Sequence, residues 1–296
     1  MIRSDWTVPA SSAGYSTIAK TYEITVRMAQ AYAAGTGDYN PRYFNDHSPE
    51  GIVAPPCLVY RLQWNAREMR EAPRETVPPT QYVHAGSDIR FQRLMRPGDV
   101  ITVQGKRVAV AQRPPGVYVL TRYEMRDSTG ALVAVSDDSA IARDARVDGE
   151  EASLIDSPPS PRPDGTEIGG WSTTVNVARE AAHVYTECAD IWNPIHTERR
   201  IALAAGLPDI ILQGSATLAV AARELVNRIA SGDPSRLARL AGQLRAMVIP
   251  GEDIQVVSSG IRVEGEDGIA FFEVLNASGQ PAVKNGVAVF RRAAIP

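Results

Sequence analysis

Between Tyr185 and His196 the chain reads Tyr-Thr-Glu-Cys-Ala-Asp-Ile-Trp-Asn-Pro-Ile-His, so a carboxylate, an amide and an imidazole follow closely on one another. Asp190, Asn193 and His196 are the groups there that could move protons. A carboxylate and an imidazole act as general base and acid, and an amide orients them, beside a carbonyl or thioester. An imidazole with a reference pKa of ~6.5 serves proton transfer in either direction near neutrality. Asp and Asn are also ordinary helix caps, and a His beside an apolar run is commonly structural.

Pro194 removes a backbone donor and pushes Asn193 out of the helical region, so the segment breaks one helix and opens another. A helix start turns free N–H groups and a positive dipole end toward whatever lies in front of it. An earlier stretch repeats the pattern. Ala31–Tyr43 laid over Val184–His196 matches Tyr32 with Tyr185, Tyr39 with Trp192, Asn40 with Asn193 and Pro41 with Pro194, a shift of 153 residues. Pro97-Gly98 falls on Pro250-Gly251 with the same shift, and Asp127-Ser128-Thr129-Gly130 matches Asn276-Ala277-Ser278-Gly279 four residues out of register. Three collinear matches indicate a tandem repeat of one module. The mismatches matter too: Asp38 faces Ile191, Gly37 faces Asp190 and Tyr43 faces His196. Neither half carries the full acid/base set.

The elements that must position these residues follow one order in both halves. Residues 1–20 read as a loosely held lead-in. Ile24, Ala31, Met28 and Tyr32 stand at helical spacing up to Ala34. The rigid turn Gly51–Cys57 leads to a second helix, Leu58–Met69. Strands Tyr82–Gln92, Val100–Ala111, Gly116–Arg126 and Ala131–Ala142 are separated by Gly- and Pro-containing turns, and their alternation suits an antiparallel sheet. The linker is expected at 147–170, with Ser157–Pro163 extended and semi-rigid. The order then repeats: strand Thr173–Val177, helix Glu180–Glu187, helix Arg199–Ala205 and a long helix Gly214–Ile229. A polar bridge Ser231–Leu240 precedes strands Leu244–Val248, Gln255–Glu264, Ile269–Leu275 and Val287–Arg292. This gives modules at 1–146 and 171–296 in an α+β fold, each a helix laid on a sheet, with exposed edges that invite pairing of the two.

The 296 residues allow two domains of ordinary size. A hydrophobic fraction of 44%, a charged fraction of 22% and a net charge of −3 give no reason to expect nucleic acid or membrane as partner. No apolar run is long enough for a spanning helix, and MIRSDWTVPASS lacks the order of a secretory signal. Cys57 and Cys188 suit neither a disulfide framework nor a metal site, so a reducing cytoplasm is the expectation. Phosphate-loop and metal-ligand spacings are missing, so no cofactor and no metal are expected.

Tyr32…Thr36-Gly37-Asp38-Tyr39-Asn40-Pro41 and Tyr185…Trp192-Asn193-Pro194-Ile195-His196 resemble the signature of the MaoC-like, or R-specific enoyl-CoA hydratase 2, family. Gly214-Ser215-Ala216-Thr217 is similar to the element opening that family's central helix, with Gln213 in place of the usual His. The resemblance implies a double hot-dog, two tandem repeats each with a long helix wrapped by a curved antiparallel sheet, the sheets meeting edge to edge. It implies a hydro-lyase acting on an acyl thioester of CoA or an acyl carrier protein, with possible homodimers. Carried over by position, it gives His196 and Asn193 as catalytic, with Asp190 one residue from the family's Asp position at Ile191, and the Gly214 N–H as oxyanion donor. Gln213, Ser215, Asp38, Asn40 and Tyr43 would line the substrate. Two rivals stay open: a non-catalytic acyl-binding or partner subunit, and a redirected hot-dog enzyme (isomerase, thioesterase or tailoring enzyme).

Overall fold

Thr25 starts the first helix, its hydroxyl accepting the Met28 amide, and α1 (Val26–Gly35) buries Ala29, Tyr32 and Ala33. Its end is held by Thr36, whose hydroxyl donates back to the Tyr32 and Ala33 carbonyls. In this computed structural model, which describes residues 5–155 and 160–292, the remaining helices are α2 (Pro41–Phe44), α3 (Val59–Asn65), α4 (Ala181–Ala189), α5 (Arg199–Ala204) and α6 (Gly214–Ile229). The first-half strands are β1 (Thr7–Pro9), β2 (Lys20–Glu23), β3 (Tyr82–Phe91), β4 (Val100–Arg113), β5 (Gly116–Arg126), β6 (Leu132–Arg143), β7 (Arg146–Asp148) and β8 (Ala152–Ser153). The second half supplies β9 (Trp171–Asn176), β10 (Leu237–Leu244), β11 (Asp253–Glu264), β12 (Asp267–Leu275) and β13 (Pro281–Arg291).

One sheet runs through both halves in the order β2-β4-β5-β6-β3-β10-β13-β12-β11-β9, with β8 added on β4. The seam is the antiparallel pair β3–β10, in which Asp88 lies opposite Ala241. Those two residues are themselves one repeat shift apart, so the halves meet about a pseudo-two-fold axis. The same axis brings α1 against α4: the Tyr32 and Tyr185 hydroxyls are 3.0 Å apart. A side chain at Gly35 would put a Cβ 2.5 Å from the Cys188 Cβ, so glycine permits this close approach. From Ser215 to Ala222 every residue of α6 is buried, as a helix enclosed on all sides must be. A single core joins Tyr32, Leu62 and Ile89 to Tyr185, Leu218 and Phe272. The α+β, double hot-dog expectation is met.

Several expected boundaries move. Residues 1–20 are not a loose lead-in where described: β1 pairs in parallel with β7, and Val8 is fully buried. The helix expected over Leu58–Met69 ends at Asn65. The span read as a polar bridge holds the first half of β10, which ends at Leu244 where a strand was expected to begin. Its Arg239 would be hard to place on a sheet but for Asp88 across the seam, whose carboxylate takes both arms of the guanidinium at 2.9 and 2.7 Å. In the expected linker, β7 and β8 add to the first half and Ile168 bridges to Ile261 of the second. Part of the Ser157–Pro163 stretch lies outside the described residues.

Candidate functional site

α4 ends at Asp190, the C-cap, in the left-handed region at φ 53° and ψ 42°. The turn sends the next residue, Ile191, into the core and leaves Trp192 out in solvent. Asn193 caps the following turn, Pro194–His196, its side chain accepting the Ile195 amide. His196 thus leaves the turn with its ring against the chain before α6. Its Nδ1 lies 2.7 Å from the Ile211 carbonyl oxygen. A carbonyl can only accept, so Nδ1 carries the proton and Nε2 keeps its lone pair. Burial lowers the ring's pKa to about 4, against the smaller opposing effect of the Ile211 carbonyl. His196 is therefore a neutral imidazole at neutral pH, able to accept a proton at Nε2.

Three residues beyond Ile211, α6 begins at Gly214, and no side chain caps that end. Amides of a first helical turn lack intrahelical partners. A Cβ at Gly214 would fall 2.4 Å from Leu244 Cδ1, so glycine lets the Leu244 side chain of β10 lie close on the helix start. The neighbouring side chains point inward. Gln213 donates to the Ala182 carbonyl at 3.1 Å and the Thr186 hydroxyl at 2.8 Å, leaving its buried Oε1 without a partner. Ser215 accepts the Tyr185 hydroxyl, which is bonded in turn to Tyr32. Of Gln213, Gly214 and Ser215, expected together as substrate contacts, Gly214 offers a backbone donor at the uncapped helix start, while the side chains of the other two face inward.

Asp190 is the main correction. Its carboxylate lies 3.4 Å from Arg61 and 3.2 Å from Asn65 Nδ2, both on α3, and its side chain is 61% exposed. Asn65 also donates to the Asp190 carbonyl. A left-handed cap residue projects its side chain off the helix end, and here that direction leads to the first half. Asp190 ties α4 to α3 and does not pair with His196.

The matching loop of the first half is closed. Asn40 donates to the Gly232 carbonyl at 2.7 Å, its own amide bonds Asp38, and Tyr43 is 1% exposed. Arg223 of α6 donates to the carbonyls of Thr36 and Gly37. Burial pushes Asp38 up to about 6, against the Asn40 amide and Arg223, which favour its ionised form. Beside it is a cavity of about 10 Å³, walled in part by Tyr43, Pro56, Cys57 and Arg223 and about large enough for one water. Pro56 opens the helical stretch that leads into α3 of the first half, as Gly214 opens α6 of the second. A proline has no amide hydrogen to offer an oxyanion. The first half has the carboxylate without the amide; the second has the imidazole with it.

One polar group stands outside every motif. His84 lies 2.9 Å from Asp138 Oδ1, which also accepts from Gln63 at 3.0 Å and Ser87 at 3.1 Å. The residues come from β3, β6 and α3, far apart in the chain. The signal in the sequence would be a histidine and an aspartate falling on the inward side of strand alternation. Among the described residues no helix is long and apolar enough to cross a membrane.

Residues 11–136 match the model of the FAS1-like dehydratase domain region, and residues 170–275 that of the MaoC-like domain. The chain is 22% identical over 259 residues to the peroxisomal multifunctional enzyme type 2 of Drosophila melanogaster, covering 82% of this chain and 42% of that protein. The chain thus spans less than half the length of that relative. It is 32% identical over 74 residues to the peroxisomal enoyl-CoA hydratase 2 of Arabidopsis thaliana, 24% of each chain. In three dimensions it is similar to a MaoC-like dehydratase from Phytophthora capsici, with a TM-score of 0.79 at 20% identity over 96% of this chain and 98% of the other. At that identity the likeness speaks to the fold.

Proposed function

We propose, for a chain that belongs to the MaoC-like dehydratases, a hydro-lyase interconverting enoyl and 3-hydroxyacyl thioesters, with His196 as its single acid and base. The observation that carries this is the bond from His196 Nδ1 to the Ile211 carbonyl, which leaves Nε2 unprotonated and ties the ring to the chain three residues before the uncapped start of α6. In the direction of dehydration Nε2 takes the proton from the α carbon. The thioester oxygen gains negative charge and is held by the Gly214 amide and the positive end of the helix. The imidazolium then gives that proton to the β oxygen as the C–O bond breaks, and water leaves. Hydration is the reverse. Asn193 shapes the turn that presents His196. The likeness to an enoyl-CoA hydratase 2 supports CoA as the carrier.

Replacing His196 by Ala should lower kcat on an enoyl-CoA by roughly a hundredfold to ten-thousandfold while the unfolding transition stays cooperative. Full activity in that variant would refute the assignment. A second reading, a subunit that binds acyl thioesters without turning them over, is favoured by the separation of Asp38 from His196 into different loops. Tight thioester binding by the wild-type chain with no exchange of water would select it.

A further inference from the structure

The group around Asp138 is unusual for what it leaves over. His84, Gln63 and Ser87 all direct a donor at one carboxylate oxygen, Oδ1. What remains are acceptors. Gln63 is 5% exposed, and its Oε1 is buried with no partner. The second oxygen of Asp138 has no donor among the described residues, and its side chain is 26% exposed. A buried acceptor left unmet costs about 1–3 kcal/mol, a cost that a bound donor would relieve.

Its position relates it to the proposed chemistry. Ser87 pairs across the seam with Gly242. Two residues further along β10, Leu244 packs on Gly214. Neighbouring strands lie about 4.8 Å apart, so the cluster stands next to the strand that abuts the oxyanion glycine. α3 lies between the cluster and the His196 loop: Tyr60 sets its ring edge-on to His84 at 6.2 Å, while Arg61 and Asn65 hold Asp190. α3 ends at Asn65, two residues past Gln63.

We propose that Gln63 and Asp138 accept a hydroxyl carried by the acyl group several carbons beyond the thioester, so that the substrate class is an oxygenated acyl thioester and not a plain hydrocarbon chain. The placement of the thioester rests on the hydro-lyase reading above. An ammonium could also donate to these acceptors. His84 Nε2 already lies 2.9 Å from Asp138 Oδ1, and the carboxylate holds that ring's pKa raised against the pull of burial, so Asp138 has its basic partner within the chain.

The test compares a medium-length enoyl-CoA with counterparts bearing a hydroxyl at successive positions toward the chain end. The wild-type chain should turn over at least one hydroxylated counterpart with kcat/KM at least about tenfold above the plain chain. Gln63→Met should shrink that ratio toward one, and Asp138→Asn provides a second, independent removal of an acceptor. No preference for any hydroxylated chain in the wild type, or a ratio untouched by either folded variant, overturns the proposal. If no substrate reacts, the hydro-lyase reading fails, and the same ratio is then read as Kd for the paired unreactive thioether analogues. A preference there supports the hydroxyl site, and equal or absent binding overturns it.

Discussion

Two titrating side chains, one in each half, should tilt the stability of this protein in opposite directions with pH. Asp38 titrates at about 6 in the fold, against an ordinary 3.8. Between those values the native state binds the proton and the unfolded chain does not, so stability falls as pH rises through that window. His196 titrates at about 4 in the fold, against an ordinary 6.5. Between those values the unfolded chain binds the proton and the native state does not, so stability rises with pH. At 1.36 kcal/mol for each tenfold change in proton affinity, each group contributes about 3 kcal/mol over its window. In the wild type the two nearly cancel between about pH 4 and 6. Asp38→Asn keeps an oxygen for the Asn40 amide and removes the first contribution, so its stability relative to wild type should improve on going from about pH 4 to pH 7.5. His196→Gln removes the second, and its relative stability should fall over the same range. Urea unfolding of the three proteins at stepped pH measures this, and referring each variant to wild type removes the common background. Two difference curves of the same slope, or two flat ones, would refute the account of both burials.

Gly214→Ala should destabilise the chain by about 1–3 kcal/mol, because its Cβ would lie 2.4 Å from Leu244 Cδ1; adding Leu244→Ala should recover part of this in thermal unfolding. Asp190→Asn should retain turnover within a few-fold of wild type, since asparagine tolerates the left-handed backbone and Asp190 faces Arg61; a loss as deep as that of His196→Ala would restore Asp190 to the dyad. Ile191→Asp should raise kcat on a simple enoyl-CoA while lowering stability at neutral pH, because the 5% exposed position would bury a second carboxylate; steady-state rates and urea unfolding read the two effects separately.

The repeat was legible because it is local in each half. Tyr32 and Tyr185 share a position in the pattern, and in the fold their hydroxyls meet. The long helix was legible because Gly214 and the apolar run behind it mark its start. The parts that moved depend on partners remote in the chain. β1 is a strand because Arg146–Asp148 lies beside it, 139 residues on. β10 holds Arg239 because Asp88 across the seam receives it, and Arg236 just before the strand donates to the Arg291 carbonyl. Asp190 was drawn to His196 by proximity in sequence, but a left-handed cap turned it to α3. His84 and Asp138 come together through strand register alone.

The separation of carboxylate from imidazole accounts for the state of both. In a complete pair each charge would favour the other, whereas here each group is desolvated without its complement. Burial therefore favours the neutral form of both: His196 drops to about 4 and Asp38 rises to about 6. This shifts the work within the proposed reaction. An imidazolium that strong an acid returns its proton to the β oxygen readily, so that step is the easy one. Taking the proton from the α carbon is the hard step, because so weak a base gains little from it. The charge that develops on the thioester oxygen must then be stabilised almost wholly by the start of α6. It follows that turnover should depend more on the Gly214 amide here than in a site where an aspartate stands beside the histidine.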